Sequence, residues 1–148
     1  MSRQITGYQH YDRARQHFAD AEYLQSAREL EELFTEVASA RAEDAVDASS
    51  DPVGHGLAEA RLLLARSYFH SAQLGRAEEA SRQVLAEDPQ DAYAHLLLGR
   101  TLQRAGRADE ARGPLRLAEL LGGYDAGDAG PEVDTPDTPG TPGYLGGA

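Results

Sequence analysis

The sequence predicts an all-α chain built from repeated helical hairpins. Three observations carry that expectation. Between Ala58 and Tyr124 one hairpin pattern is written twice, the segment Ala58 to Tyr68 recurring without a gap as Ala92 to Leu102 at an offset of 34 residues. Before it, apolar residues recur at steps of three and four, the period of one helix face. Small residues at Ala65, Ala72 and Ala77 allow the close approach of paired helices, where bulk would push the axes apart.

The doubling is explicit in the residues. Ala58-Glu59-Ala60-Arg61-Leu62-Leu63-Leu64-Ala65-Arg66-Ser67-Tyr68 lies over Ala92-Tyr93-Ala94-His95-Leu96-Leu97-Leu98-Gly99-Arg100-Thr101-Leu102. In the same frame Ala72 meets Gly106, Ala77 meets Ala111, and the turn at Asp88-Pro89 meets Gly122-Gly123. A period of 34 with small residues at helix crossings and a Pro at the repeat end resembles the tetratricopeptide-repeat family. The aromatic positions diverge: Arg61 and His95 stand at the first, and Leu102 stands at the second where Tyr68 keeps a ring. Ser81 takes the place of a large apolar residue that Leu115 supplies later. The resemblance implies a short right-handed α-solenoid of about three helix-turn-helix hairpins.

Element by element, Tyr11, Ala14, Phe18 and Ala21 predict a first helix over about Tyr8 to Asp20. Leu24, Ala27, Leu30, Leu33, Phe34, Val37 and Ala38 predict a second from Tyr23 to about Arg41, with Arg28, Glu29, Glu31, Glu32 and Glu36 on its solvated side. Laid on the template through Tyr11, Phe18 and Ala27, these form a divergent first hairpin over 8–41. In that frame Phe34 corresponds to Val84 and Ala118, and Glu22 falls where Ala72 and Gly106 lie. Residues 42–57 read as an inserted acidic loop, because Asp, Ser, Pro and the paired Gly54 and Gly56 disfavour helix and burial.

The second hairpin, 58–91, has helices from about Leu57 to Ala72 and Arg76 to Ala86, ending at Asp88-Pro89 because Pro lacks an amide donor. Asp91 is placed to cap the next helix. The third, 92–124, has helices from about Ala92 to Arg104 and Ala108 to Leu121, with Gly106 at a C-terminal turn and Pro114 as an expected bend. Residues 125–148 are rich in Gly, Pro, Asp and Thr, with too few apolar groups to offset ordering entropy, and read as a disordered tail.

Composition narrows the function. A net charge of −11 argues against nucleic-acid and anionic-membrane partners, which need surplus positive charge. All 14 basic residues are Arg, so no lysine nucleophile exists. Without Cys there is no thiolate chemistry, and the start lacks the apolar run of a signal peptide. A cytoplasmic setting is the expectation. His10, His17, His55, His70 and His95 show no metal-ligand spacing, and no phosphate loop or nucleophile elbow is present, so no catalytic, cofactor or metal residue is assigned.

In the resembled family the first helices line a concave surface that receives peptide segments. There the sequence offers Arg66 and His70 one turn apart, and Arg100 and Arg104 one turn apart, with a 34-residue offset between the pairs. With Phe69 and Tyr93 beside them, these six residues are the candidate peptide-groove set, suited to a peptide or protein partner with acidic groups. In the 8–41 frame Gln16 and Asp20 take the equivalent sites, which ends the ladder at two repeats. The function expected is a non-catalytic adaptor. Two alternatives stand beside it: a structural subunit acting through a homodimer or one obligate partner at the uncapped edge after Leu121, and, remotely, a small hydrolase or metal enzyme.

Overall fold

The computed structural model describes residues 2–43 and 54–124, with side chains described for 7–43 and 56–124. The expected tail, 125–148, and most of the acidic loop lie outside the described residues. Six helices follow one another: α1 Ser2–Ala19, α2 Tyr23–Glu43, α3 Gly54–His70, α4 Leu74–Glu87, α5 Ala92–Arg104 and α6 Ala108–Gly122. Helix contacts define the architecture. Each helix packs on its sequence neighbours; in addition α1 meets α3 and α3 meets α5, whereas among the described residues the backbones of α2 and α4, and of α4 and α6, stay apart, α2 and α4 being joined only at the side-chain level, as where Arg76 reaches Glu31 at 3.3 Å. The first helices of the hairpins are thus drawn together and the second helices splayed apart, the geometry of a curved helical-repeat solenoid with α1, α3 and α5 on its inner side.

All three hairpins close by the same turn. The chain passes through left-handed backbone at Ala21 (φ 61°), Ala72 (φ 62°) and Gly106 (φ 78°). The next amide reaches back five residues each time: Glu22 N–H to the His17 carbonyl, Gln73 N–H to Tyr68, and Arg107 N–H to Leu102, all at 2.8 Å. These are Schellman closures, which satisfy carbonyls that the helix end leaves open. They also fix the register of the repeats. The third hairpin follows the second by 34 residues, as the sequence predicts; the second follows the first by 51, one residue more than the aromatic alignment of 8–41 implies.

That single residue reassigns the first hairpin. Ala14, not a neighbour of it, is the counterpart of Ala65 and Gly99, and Ser26, not Ala27, is the counterpart of Ala77 and Ala111. Leu33 replaces Phe34 opposite Val84 and Ala118, and the left-handed residue is Ala21 rather than Glu22. The reason is packing: the positions that must be small are those where helices cross, and Ala14, Ala65, Ser26, Ala77 and Ala111 are all fully buried. Ser26 satisfies its hydroxyl there by donating to the Ala14 carbonyl at 2.8 Å, and Ser67 of α3 donates to Ser26 at 3.0 Å, tying three helices together.

Other expectations need adjustment. Gly54 and Gly56 do not break the chain but lie in the first turn of α3, where helix ends tolerate Gly readily, and α2 runs to Glu43. Leu24 is half exposed and Ala38 is exposed, so the buried stripe of α2 is narrower than the sequence pattern. The helix α6 continues through Pro114. Asp91 caps α5 as expected, its carboxylate accepting from Ala94 N–H at 2.9 Å. Leu63, Leu64, Leu96, Leu97 and Leu98 are buried in the core that joins the repeats.

Candidate functional site

The register places arginines in a row on the inner helices. Arg15 of α1, Arg66 of α3 and Arg100 of α5 occupy equivalent positions, with Ala19, His70 and Arg104 one turn further on. The basic ladder therefore extends into the first repeat through Arg15, which the aromatic alignment had hidden behind Gln16. A local signal existed: Ala14-Arg15-Gln16-His17-Phe18 repeats as Ala65-Arg66-Ser67-Tyr68-Phe69.

Each guanidinium is held by the surroundings. Arg66 lies 4.5 Å from the ring centre of Phe18 on α1 and 5.7 Å from that of Tyr93 on α5, bridging all three inner helices by cation–π contact. Arg15 lies over Tyr11 on its own helix. Arg104 stacks over Phe69 at 4.6 Å and donates to the Phe69 carbonyl at 2.7 Å, a second donor beside the Ala72 amide at the α3 C-terminus, where positive charge is favoured. Arg100 is buried and donates to Gln103 at 3.1 Å.

His70 belongs to an aromatic cluster, stacked on Tyr23 at 4.7 Å and edge-on to Phe18 and Phe69. Phe69 and Tyr93 are themselves buried, at 6% and 9% exposure, so the rings serve the arginines as platforms. Of the six sequence candidates, Phe69 and Arg104 meet directly, as do Arg66 with Tyr93 and Phe69 with His70. The sequence reading missed Arg15 and Phe18. Beside them Tyr11 has its hydroxyl pKa raised, first by burial and then by the Glu59 carboxylate.

A second polar cluster joins α1 to α2. His10 is buried, with Nδ1 at 2.6 Å from Glu29 and Nε2 at 3.6 Å from Glu36, while Glu32 stands at 3.7 Å. The hydrogen bond to Glu29 raises its pKa, burial opposing. Among the described residues His10, Glu29 and Glu32 offer donor atoms close enough to share a cation, yet Nδ1 already pairs with Glu29, which makes the cluster a histidine–carboxylate lock on the hairpin. It forms only when two helices pack, so no spacing within either helix announces it. Glu31 is likewise turned inward, accepting from the Tyr68 hydroxyl, so the acidic side of α2 is only partly solvated.

Among the described residues no helix is long and apolar enough to cross a membrane. No curated protein matches the chain. A family model described as a tetratricopeptide repeat matches residues 71–120, from the turn before α4 to the last turn of α6. Repeats of this family are in general non-catalytic protein–protein interaction modules. Over the matched segment the chain is similar to tetratricopeptide repeats, and the three hairpin closures of one form make the whole described part an all-α helical-repeat solenoid.

Proposed function

We propose that the chain is an adaptor that binds a peptide or protein segment on the inner face of α1, α3 and α5, with Arg15, Arg66, Arg100 and Arg104 engaging acidic groups. The observation that carries the reading is the alignment of Arg15, Arg66 and Arg100 across three successive inner helices of a chain with net charge −11. Adjacent axes about 8 to 10 Å apart suit an extended segment crossing the row. A guanidinium fork can then hold a carboxylate bidentately, while the ring beneath limits the rotamer freedom lost on binding. In this reading Arg66, Arg100 and Arg104 are contacts, His70 holds its aromatic cluster beside them, and Phe69 and Tyr93 are supports.

Selection of displayed peptides against the folded chain tests it. Acidic sequences are the expected winners. Each of Arg66→Gln and Arg100→Gln is expected to weaken them roughly 10-fold or more, the equivalent of one charge-assisted hydrogen bond, with helicity by circular dichroism retained. Retained affinity in both variants would remove the inner face as the binding site.

The structural-subunit reading rests on a different observation. Leu117, Leu120 and Leu121 on α6 are 42%, 66% and 44% exposed, and among the described helices only α5 packs on α6. Such an edge suits a second copy or an obligate partner. Light scattering over a wide concentration range would then give a mass above the monomer that falls back in a Leu117→Ser, Leu120→Ser variant. A strictly monomeric native chain would eliminate the self-association form of this role.

A further inference from the structure

The chain leaves α6 in a defined direction. Gly123 takes left-handed backbone (φ 71°), its amide bonding back to the Glu119 carbonyl, and the reversal brings the Tyr124 ring to 6.2 Å from that of Tyr93. Gly122 makes this close approach feasible: a Cβ there would lie 2.5 Å from the Cβ of Ala92 and 2.8 Å from the Tyr124 ring. The turn lays Tyr124 against the N-terminal part of α5. Tyr93 is also the ring on which Arg66 rests, at 5.7 Å, so the last described residue stands at the edge of the arginine row.

The remainder of the chain is opposite in charge to that row. Residues 125–148 carry Asp125, Asp128, Glu132, Asp134 and Asp137 and no Arg, Lys or His. We infer that this segment is an intramolecular occupant of the inner face, its carboxylates meeting Arg100, Arg66 and Arg15 in turn and competing with any partner. The inference rests on the binding face proposed above and supplies its regulation. Reach is ample: an extended chain covers about 3.3 Å per residue, so the acids between 125 and 137 exceed the roughly 20 Å spanned by three helices at 8 to 10 Å spacing. A short tether gives a local concentration on the order of millimolar, so contacts that are individually weak at a solvated surface suffice to occupy the face. A partner must then bring either a denser acidic run or a second contact to displace it.

The test uses the full chain and exploits its lack of cysteine. A spin label on Thr138→Cys, the sole thiol, is read through the amide signals of every helix. The expected result is strong signal loss confined to α1 and α3 around Arg15 and Arg66, with α2 and α4 spared. It should be relieved by 1 M salt, where the screening length is about 3 Å, and by a neutral tail carrying Asp125→Asn, Asp128→Asn, Glu132→Gln, Asp134→Asn and Asp137→Asn. Loss spread evenly over all helices, loss unchanged by the neutral tail, or loss that grows with protein concentration and so reports contact between copies would each overturn the inference. The peptide selection separates the two claims. If acidic peptides lose affinity in the arginine variants but the label reports no docking, the tail inference alone fails; if the label docks and peptides ignore the arginines, the adaptor reading alone fails.

Discussion

Leu97→Ala is expected to lower the stability of the folded chain by about 2–5 kcal/mol, the range for emptying a fully buried leucine site. Leu97 is at 0% exposure on α5, and α5 contacts α3, α4 and α6. A solenoid is held by neighbour-to-neighbour interfaces, so a cavity at this position weakens the coupling of the third hairpin to the second as well as the third hairpin itself. Against a total stability of about 5–15 kcal/mol for an ordinary domain, such a loss removes a large part of the folded population's margin. Urea unfolding followed by circular dichroism, with Leu120→Ala as the comparison, checks it. Leu120 is 66% exposed and its truncation should change stability by less than about 0.5 kcal/mol. Equal midpoints for the two variants would contradict the packing described for α5.

How far the sequence reaches can be judged from the same residues. Between the second and third hairpins the register is legible, because the small residues, the leucine triplets and the turns all repeat at one offset. In the first hairpin two frames compete, since Ser26 and Ala27 are adjacent, small and both buried, at 0% and 2% exposure. Small-residue spacing does not separate them, and aromatic residues at Tyr11 and Phe18 favour the wrong one. Helix crossing decides it: Ala14 must sit where Ala65 and Gly99 sit, and that choice carries Arg15 into line with Arg66 and Arg100. The His10 lock is illegible for another reason. Its members, His10, Glu29, Glu32 and Glu36, belong to two helices, and only their relative rotation brings the imidazole among the carboxylates. Phe69 and Tyr93 were legible as neighbours of the arginines; that they lie beneath them follows from packing.

The same crossing position gives the second large effect. Gly99→Val is expected to destabilise the chain by about 1–3 kcal/mol through overpacking, although Gly inside a helix is itself about 1 kcal/mol less favourable than Ala. A Cβ at Gly99 would lie 2.5 Å from both Cγ and Cδ2 of Leu115 and 3.3 Å from the Leu115 amide nitrogen. The branched carbon stands close to the α6 backbone and has little room to swing away, so α5 and α6 must move apart. At the equivalent crossings Ala14 is matched in register by Leu30, and Ala65 by Ser81, so the sizes on the two helices are set pair by pair. A Leu115→Ala change in the Gly99→Val background should therefore restore part of the loss, giving a coupling of about 0.5–3 kcal/mol in a double-mutant cycle. Strict additivity would mean that Leu115 is not what the new side chain meets. Because α5 also carries Tyr93, Arg100 and Arg104, a shift of this helix displaces half the arginine row relative to Arg66. On the proposed adaptor function, the Gly99→Val protein should bind acidic peptides more weakly even where it remains folded, and the compensated pair should recover both properties together.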